Sequence, residues 1–202
     1  MRPEGDRNEL KRRRQLKTGS IAGEDAASLG GANLELRTAL PEDYPGVGAL
    51  LVEVYVGGGF SPAERAPVLR AVEPLAADGE LIVARDERGG LMGTVTFLLS
   101  GSRHVELARE HEAELRLLAV APAARGRGIG EALVTECIRR ARDHGCQRLV
   151  LSTQPTMAPA QRLYMHAGFV RAPERDWSKA GSPRLAFTLE LARATYRRSA
   201  DS

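Results

Sequence analysis

The stretch from Glu114 to Arg142, ELRLLAVAPAARGRGIGEALVTECIRRAR, limits what this chain can fold into more than any other. An apolar run from Leu115 to Val120 has the length and composition of a buried strand. It stops at Pro122, crosses Arg125-Gly126-Arg127-Gly128-Ile129-Gly130, and enters a segment whose apolar residues Ile129, Leu133, Cys137 and Ala141 recur every four positions. Strand, glycine turn and amphipathic helix in that order leave backbone N–H groups unpaired at the positive end of the helix. Without side chains at Gly126, Gly128 and Gly130, an anion can approach those groups closely. An ordinary tight turn, or an Arg-Gly pair of the kind found in RNA-binding tails, would show the same local pattern, so other segments must discriminate.

Two common phosphate loops do not match. The dinucleotide fingerprint spaces its glycines as GxGxxG, whereas these alternate as GxGxG, and a P-loop needs Gly-Lys-Ser/Thr, for which no Lys lies nearby. The pattern Arg/Gln-x-x-Gly-x-Gly/Ala does match, through Arg125, Gly128 and Gly130 directly after Leu118-Ala119-Val120. A second segment, Ala160-Gln161-Arg162-Leu163-Tyr164-Met165-His166-Ala167-Gly168-Phe169, reads A-x-x-L-Y-x-x-x-G-F. In these two segments the chain resembles the GNAT superfamily of acyl-CoA-dependent N-acetyltransferases, and the resemblance extends over roughly Leu34 to Leu191. It implies the GNAT α/β (α+β) fold, a mixed, mostly antiparallel sheet of about six or seven strands flanked by about four helices. It also implies that the loop from Arg125 to Gly130 binds the pyrophosphate of acetyl-CoA, the cosubstrate, while Leu118, Ala119 and Val120 offer their backbone to the pantetheine arm.

Bulk properties set outer limits. With 202 residues, 43% of them hydrophobic, the chain suits one domain with tails. Seven of its basic and five of its acidic residues fall within the first thirty positions, so the net charge of +3 leaves a nearly neutral body. Such a body argues against broad attraction to nucleic acid or to an anionic membrane, and no apolar run has membrane-spanning length. Two cysteines, Cys137 and Cys146, form no CxxC pair and suit a reducing, cytoplasmic setting. His111-Glu112-Ala113-Glu114-Leu115 starts like a zinc-protease motif but has Leu115 where the second His belongs, so no metal is expected. Self-association as a homodimer is left open.

Residues 1–32 are polar, basic and without apolar periodicity, which predicts a disordered tail; a domain over 33–192 and a flexible tail over 193–202 follow. Asn33 to Ala39 alternates as a first strand, and Pro41-Glu42-Asp43 opens a helix carrying Val47, Leu50, Leu51 and Val54. Gly57-Gly58-Gly59 ends it, and Ser61-Pro62-Ala63-Glu64 predicts another helix opened by a capping box. Glu80 to Arg85 and Leu91 to Leu99, separated by Asp86-Glu87-Arg88-Gly89-Gly90, read as a hairpin. Ser100 to His111 predicts a loop or short helical piece beside the cleft. Gln147 to Ser152 reads as a strand, Thr156 to Ala167 as a helix, and Phe169 to Ala172 with Arg184 to Leu191 as the last two strands.

Amide formation from a thioester requires a proton donor for the departing thiolate and a proton acceptor for the attacking ammonium. By the resemblance, Tyr164 is the donor; the alternative is a helix-end aromatic closing the core. For the acceptor, Glu114 lies six residues before Val120, at the strand position of the base in histone-type members. Simple alternation puts it on one face with Leu118 and Val120 unless a β-bulge breaks the count, with Glu112 or a water relay as rivals. Where many members have Asn three residues before the Ala of A-x-x-L-Y, this chain has Met157, whose thioether accepts hydrogen bonds only weakly. Tyr55 and Phe60 fall where the family walls its acceptor cleft, unless they only pack the helix end. Asp176 and Trp177 fall in a loop expected over the same cleft, where a ring face and a carboxylate suit an amine cation, unless Trp177 covers the sheet and Asp176 caps a turn. The resulting expectation is acetyl transfer from acetyl-CoA to a primary amine by direct attack; a noncatalytic acyl-CoA-binding sensor on the same fold is the alternative.

Overall fold

The β-branched and leucine-rich runs pair into one eight-stranded sheet in the computed structural model, which describes residues 34–191. Its strands are β1 (Glu35–Thr38), β2 (Glu80–Arg85), β3 (Leu91–Leu99), β4 (Glu112–Val120), β5 (Arg148–Thr153), β6 (Val170–Arg171), β7 (Trp177–Lys179) and β8 (Ser182–Glu190). They lie in the order β1-β2-β3-β4-β5-β8-β6, with β7 also on β8. All pairs are antiparallel except β4 with β5. A parallel pair needs a crossover, and the helix predicted after the glycine turn supplies it. The helices are α1 (Tyr44–Tyr55), α2 (Ala66–Arg70), α3 (Glu73–Asp78), α4 (Ile129–Asp143) and α5 (Ala158–His166).

Alternation along β2 divides the interior into two layers. Ile82 and Ala84 face one side, where Val95, Phe97, Leu115 and Leu151 meet Leu133, Cys137 and Ala141 of α4 and Tyr164 of α5. Leu81 and Val83 face the other, against Val47, Leu50, Leu51 and Val54 of α1 and Leu69 of α2. Asp43, buried ahead of α1, accepts from Arg37 at 2.6 and 3.2 Å, from Arg85 Nε at 3.1 Å and from the Leu40 amide at 2.7 Å. The Arg37 guanidinium, helped by Leu40 and Arg85 against the cost of burial, holds this carboxyl far below the usual carboxylate range. It thereby fastens β1 and β2 to the start of α1.

Several expectations change. There are eight strands among the described residues because β7, three residues long, is too short to show a period, and five helices because the one expected from Ser61 forms as two. The helix expected from Ser61 does not form as one piece, and its capping box is absent. The Ser61 amide instead donates to the Tyr55 carbonyl at 2.8 Å, a 3-10 turn covers Ala63–Arg65, and α2 and α3 follow as short helices, each with Pro in its first turn. Pro67 and Pro74 have no N–H with which to continue a preceding helix, so each restarts one. Residues 100–111 contain no helix. The tails expected at 1–32 and 193–202 lie outside the described residues. No described helix is long and apolar enough to cross a membrane.

Candidate active site

One irregularity in β4 creates the site. Thr94 pairs with Ala119 and Thr96 with Arg116, so Val95 alone opposes both Leu117 and Leu118. Leu117 takes up the extra residue at φ 51°, in the left-handed region that a leucine rarely occupies. Beyond this bulge the side chains change faces. Ala113, Leu115, Leu118 and Val120 pack toward α4, whereas Leu117 and Ala119 pack toward α1. Glu114 therefore does not share a face with Leu118 and Val120, which corrects the simple alternation expected from the sequence. The parallel ladder between β4 and β5 also ends, at Leu115 with Leu151, although β4 continues to Val120 and β5 to Thr153. A cavity of about 520 Å³ lies where the two strands part company.

At the C-terminal end of β4 this cavity meets the glycine turn. Gly126 and Gly128 have φ of 74° and 78°, and Gly128 caps α4. The Ala132 amide closes onto the Gly128 carbonyl at 3.0 Å, which leaves the amides of Ile129, Gly130 and Glu131 without acceptors in the helix ladder. Gly130 serves a second purpose: a Cβ there would stand 3.1 Å from Leu163 Cδ2, so its absence lets α4 start against α5. Leu118, Val120, Arg125, Gly126, Gly128, Ile129 and Gly130 line the cavity. Ala119 does not, being buried on the α1 side, and neither does exposed Arg127.

Tyr164 lies in the cavity wall with its ring 6.0 Å from that of Phe169 and 6.3 Å from that of Phe187. The ring closes the core, while the hydroxyl has no hydrogen-bond partner among the described residues. Burial, with a smaller contribution from neighbouring Tyr55, pushes this phenol well above its ordinary range, so the oxygen keeps its proton. Tyr55 and Phe60 also line the cavity. The Tyr55 hydroxyl donates to the Leu118 carbonyl at 3.0 Å, within the bulge, and Gln154 Nε2 donates to the Phe60 carbonyl at 2.6 Å. Met157 lines the wall as well and accepts from Thr153 Oγ1 at 3.4 Å.

Four acidic or aromatic candidates are elsewhere. Glu114 is fully buried and outside the cavity wall; its Oε2 accepts the amides of Glu106, Leu107 and Ala108 at 2.9, 2.8 and 3.0 Å. That oxygen holds the 100–111 loop, while Oε1 is buried without a hydrogen-bond partner among the described residues, 3.7 Å from Arg116 Nε. Its rival Glu112 accepts from Arg175 at 2.7 and 3.0 Å and from the Arg109 amide at 2.9 Å. Burial alone would raise the Glu112 carboxyl, but these donors outweigh it and hold it below its ordinary value. Asp176 is bound to Arg171 at 2.8 and 2.9 Å and to the Ala186 amide at 2.8 Å, bracing the turn between β6 and β8. Trp177 pairs with Arg184 in the β7–β8 ladder, and its Nε1 is buried without a partner among the described residues. Neither Asp176 nor Trp177 lines the cavity.

Sequence reasoning missed the charged side chains that do. Arg65, Glu106, Arg116, Lys179 and Arg184 line one end. Glu106 Oε1 pairs with Arg116 at 2.8 Å and with Lys179. Only Arg116, a charge inside an apolar strand, carried a local signal; the other four come from three separate segments joined by the topology.

With this geometry in hand, the matches to known proteins become informative. Residues 48–169 match the model described as the acetyltransferase (GNAT) family. An uncharacterized N-acetyltransferase of Schizosaccharomyces pombe is 36% identical over 91 residues, 45% of this chain and 52% of that protein. A mycothiol acetyltransferase of Segniliparus rotundus is 33% identical over 101 residues, 50% of this chain and 37% of that protein. The chain thus spans about half or less of these curated relatives. Among solved structures, a phosphinothricin acetyltransferase of Sinorhizobium meliloti in complex with AcCoA superposes with a TM-score of 0.60 at 21% identity, over 78% of this chain and 88% of that one, a likeness of fold.

Proposed function

The chain belongs to the acetyltransferase (GNAT) family, and from that premise we propose that it transfers an acetyl group from acetyl-CoA to a primary amine by direct attack. One observation carries this: a single cavity has unpaired α4 amides at one end and the unpartnered, protonated Tyr164 hydroxyl in its wall. The residues present fit the cosubstrate. The amides of Ile129 to Glu131 and the side-chain-free approach at Gly126 and Gly128 suit a pyrophosphate. The edge of β4 past Leu115, released from β5, suits the amides of an extended arm. Acetyl-CoA supplies the acetyl group activated as a thioester.

The chain's own residues supply position and protons. As the uncharged amine nitrogen bonds the carbonyl carbon and the C–S bond breaks, Tyr164 gives its proton to sulfur and regains one from the nitrogen, which loses it to become the amide. Glu106 replaces Glu114 as the proton acceptor for the ammonium. It is the one cavity carboxylate among the described residues away from the α4 amides, and its Oε2 is not engaged by Arg116 or Lys179. A noncatalytic acyl-CoA-binding role would use the same loop but would leave the Tyr164 hydroxyl without a purpose. The test is a panel of primary amines incubated with acetyl-CoA and assayed for free thiol. Amine-dependent thiol release is expected; acetyl-CoA binding with no release for any amine would favour the sensor.

A further inference from the structure

Charge at the acceptor end of the cavity is unbalanced. Arg65, Arg116, Lys179 and Arg184 line it against Glu106 alone, and Glu106 is already shared by Arg116 and Lys179. That leaves two guanidinium groups. Arg184 donates only to Ser182 Oγ at 2.8 Å and to the Pro183 carbonyl at 3.1 Å, both within its own turn. The Arg65 side chain has no hydrogen bond or ion pair among the described residues. Both side chains are partly buried. Burial lowers the Arg184 pKa, Glu106 opposes this, and Arg65 reinforces it, as expected for two like charges drawn together in a partly dry site. Holding cations this way costs free energy in the empty protein, and an anion between them would recover it.

These cations are not placed for the pyrophosphate. Arg116 lies four residues before Val120, at most about 13 Å along the bulged strand from the end of β4, beyond which the chain turns into Arg125–Gly130. Tyr55 lies in the same wall, where its hydroxyl feels the charges of Arg116 and Arg184 and it adds to the shift of Tyr164. Arg116 and Arg184 thus neighbour Tyr55 and Glu106 in the cavity wall.

The geometry points to an acceptor that is a small amino acid-like molecule, a primary amine bearing a carboxylate, with the carboxylate held between Arg184 and Arg65 and the amine directed toward Tyr164. This rests on the transferase reading for the word acceptor but not for the anion site itself. The same positive surroundings disfavour an ammonium and favour the uncharged amine that attacks, so one cluster would both hold the substrate and ready its nucleophile.

Two measurements on the full chain test this. In CoA-loaded protein, calorimetry compares N-acetyl amino acids with their matching carboxamides; in turnover, free amino acids are compared with their amides. The carboxylate is expected to win by tenfold or more for the best side chain in both, and Arg184→Gln or Arg65→Gln should each bring the ratio close to one. Arg65→Gln is the safeguard if Arg184→Gln disturbs the β7–β8 turn. Equal binding of acid and amide by the wild type, or a preference that survives both substitutions, would overturn the proposal. Carboxylate-selective binding without thiol release would retain the anion site and retire the transferase reading instead.

Discussion

Replacing Glu114 by Gln separates a structural carboxylate from a catalytic one. Gln keeps the shape and an acceptor oxygen for the amides of Glu106, Leu107 and Ala108 but removes the charge. Hydrogen bonds to a charged group contribute about 1.5–3 kcal/mol against about 0.5–1.5 for neutral ones, so roughly 1 kcal/mol is lost for each of these bonds. Burying a neutral amide rather than an ion returns part of this, leaving a net loss of about 2 kcal/mol. For a domain of this size that is a fall in Tm of about 4–8 °C, measurable by thermal unfolding followed by circular dichroism. Because Glu114 is outside the cavity wall, kcat/KM at a temperature where both proteins are folded should stay within about threefold, with an unchanged pH profile. Glu106→Gln should lower kcat by about 10² to 10⁴. An unaltered Tm for Glu114→Gln, combined with a hundredfold loss of kcat and of the acidic limb of its pH profile, would refute this assignment.

Tyr164→Phe should lower kcat by about 10² to 10⁴ while leaving the Kd for acetyl-CoA nearly unchanged; unchanged turnover would leave Tyr164 only its place in the core. Gly128→Asp puts a side chain at φ 78° and a negative charge beside the unpaired amides, so it should abolish the rise in Tm that acetyl-CoA gives the wild type. Asp43 has a folded pKa below its unfolded one, so its contribution is present above the ordinary carboxylate range and is lost as pH falls through the folded value. Asp43→Asn should therefore be less stable at pH 7 and show a flatter decline of chemical-denaturation stability between about pH 5 and pH 2. Trp177→Ala should lower Tm but leave the KM for amine unchanged; a several-fold rise in KM would restore Trp177 to the acceptor side.

What could be read in advance was whatever a local period records. The strand, turn and helix from Leu115 to Asp143 and the hairpin of Glu80–Arg85 and Leu91–Leu99 announce themselves because their apolar spacing matches their burial. Tyr164 was found through its motif, and its ring both packs in the core and lines the cavity. Glu114 was misplaced because alternation assumes one residue opposite another, and the left-handed turn of Leu117 breaks that count without a glycine to mark it. Asp176 and Trp177 were placed over the cleft by the resemblance, which does not record that Arg171 and the Ala186 amide claim the carboxylate; the alternative in which Asp176 caps a turn describes these bonds. Arg65, Glu106, Lys179 and Arg184 become neighbours only when the sheet forms, so no spacing along the chain records them.

The bulge also has a consequence for how this strand can change length. A strand sorts its residues by odd and even number. Before Leu117 the odd positions 113 and 115 face α4, and after it the even positions 118 and 120 do. Deleting Leu117 itself would restore simple alternation through the whole of β4, with Ala113, Leu115, Leu118 and Val120 all still on the α4 side. Such a deletion keeps the same residues buried and need not unfold the domain; it would remove the bulge, the step between the two halves of the strand on which the cavity depends. Loss of two residues would keep the step. Insertions and deletions within β4 that preserve the cavity are thus confined to even numbers, a rule that can be checked residue by residue in any relative whose strand differs in length.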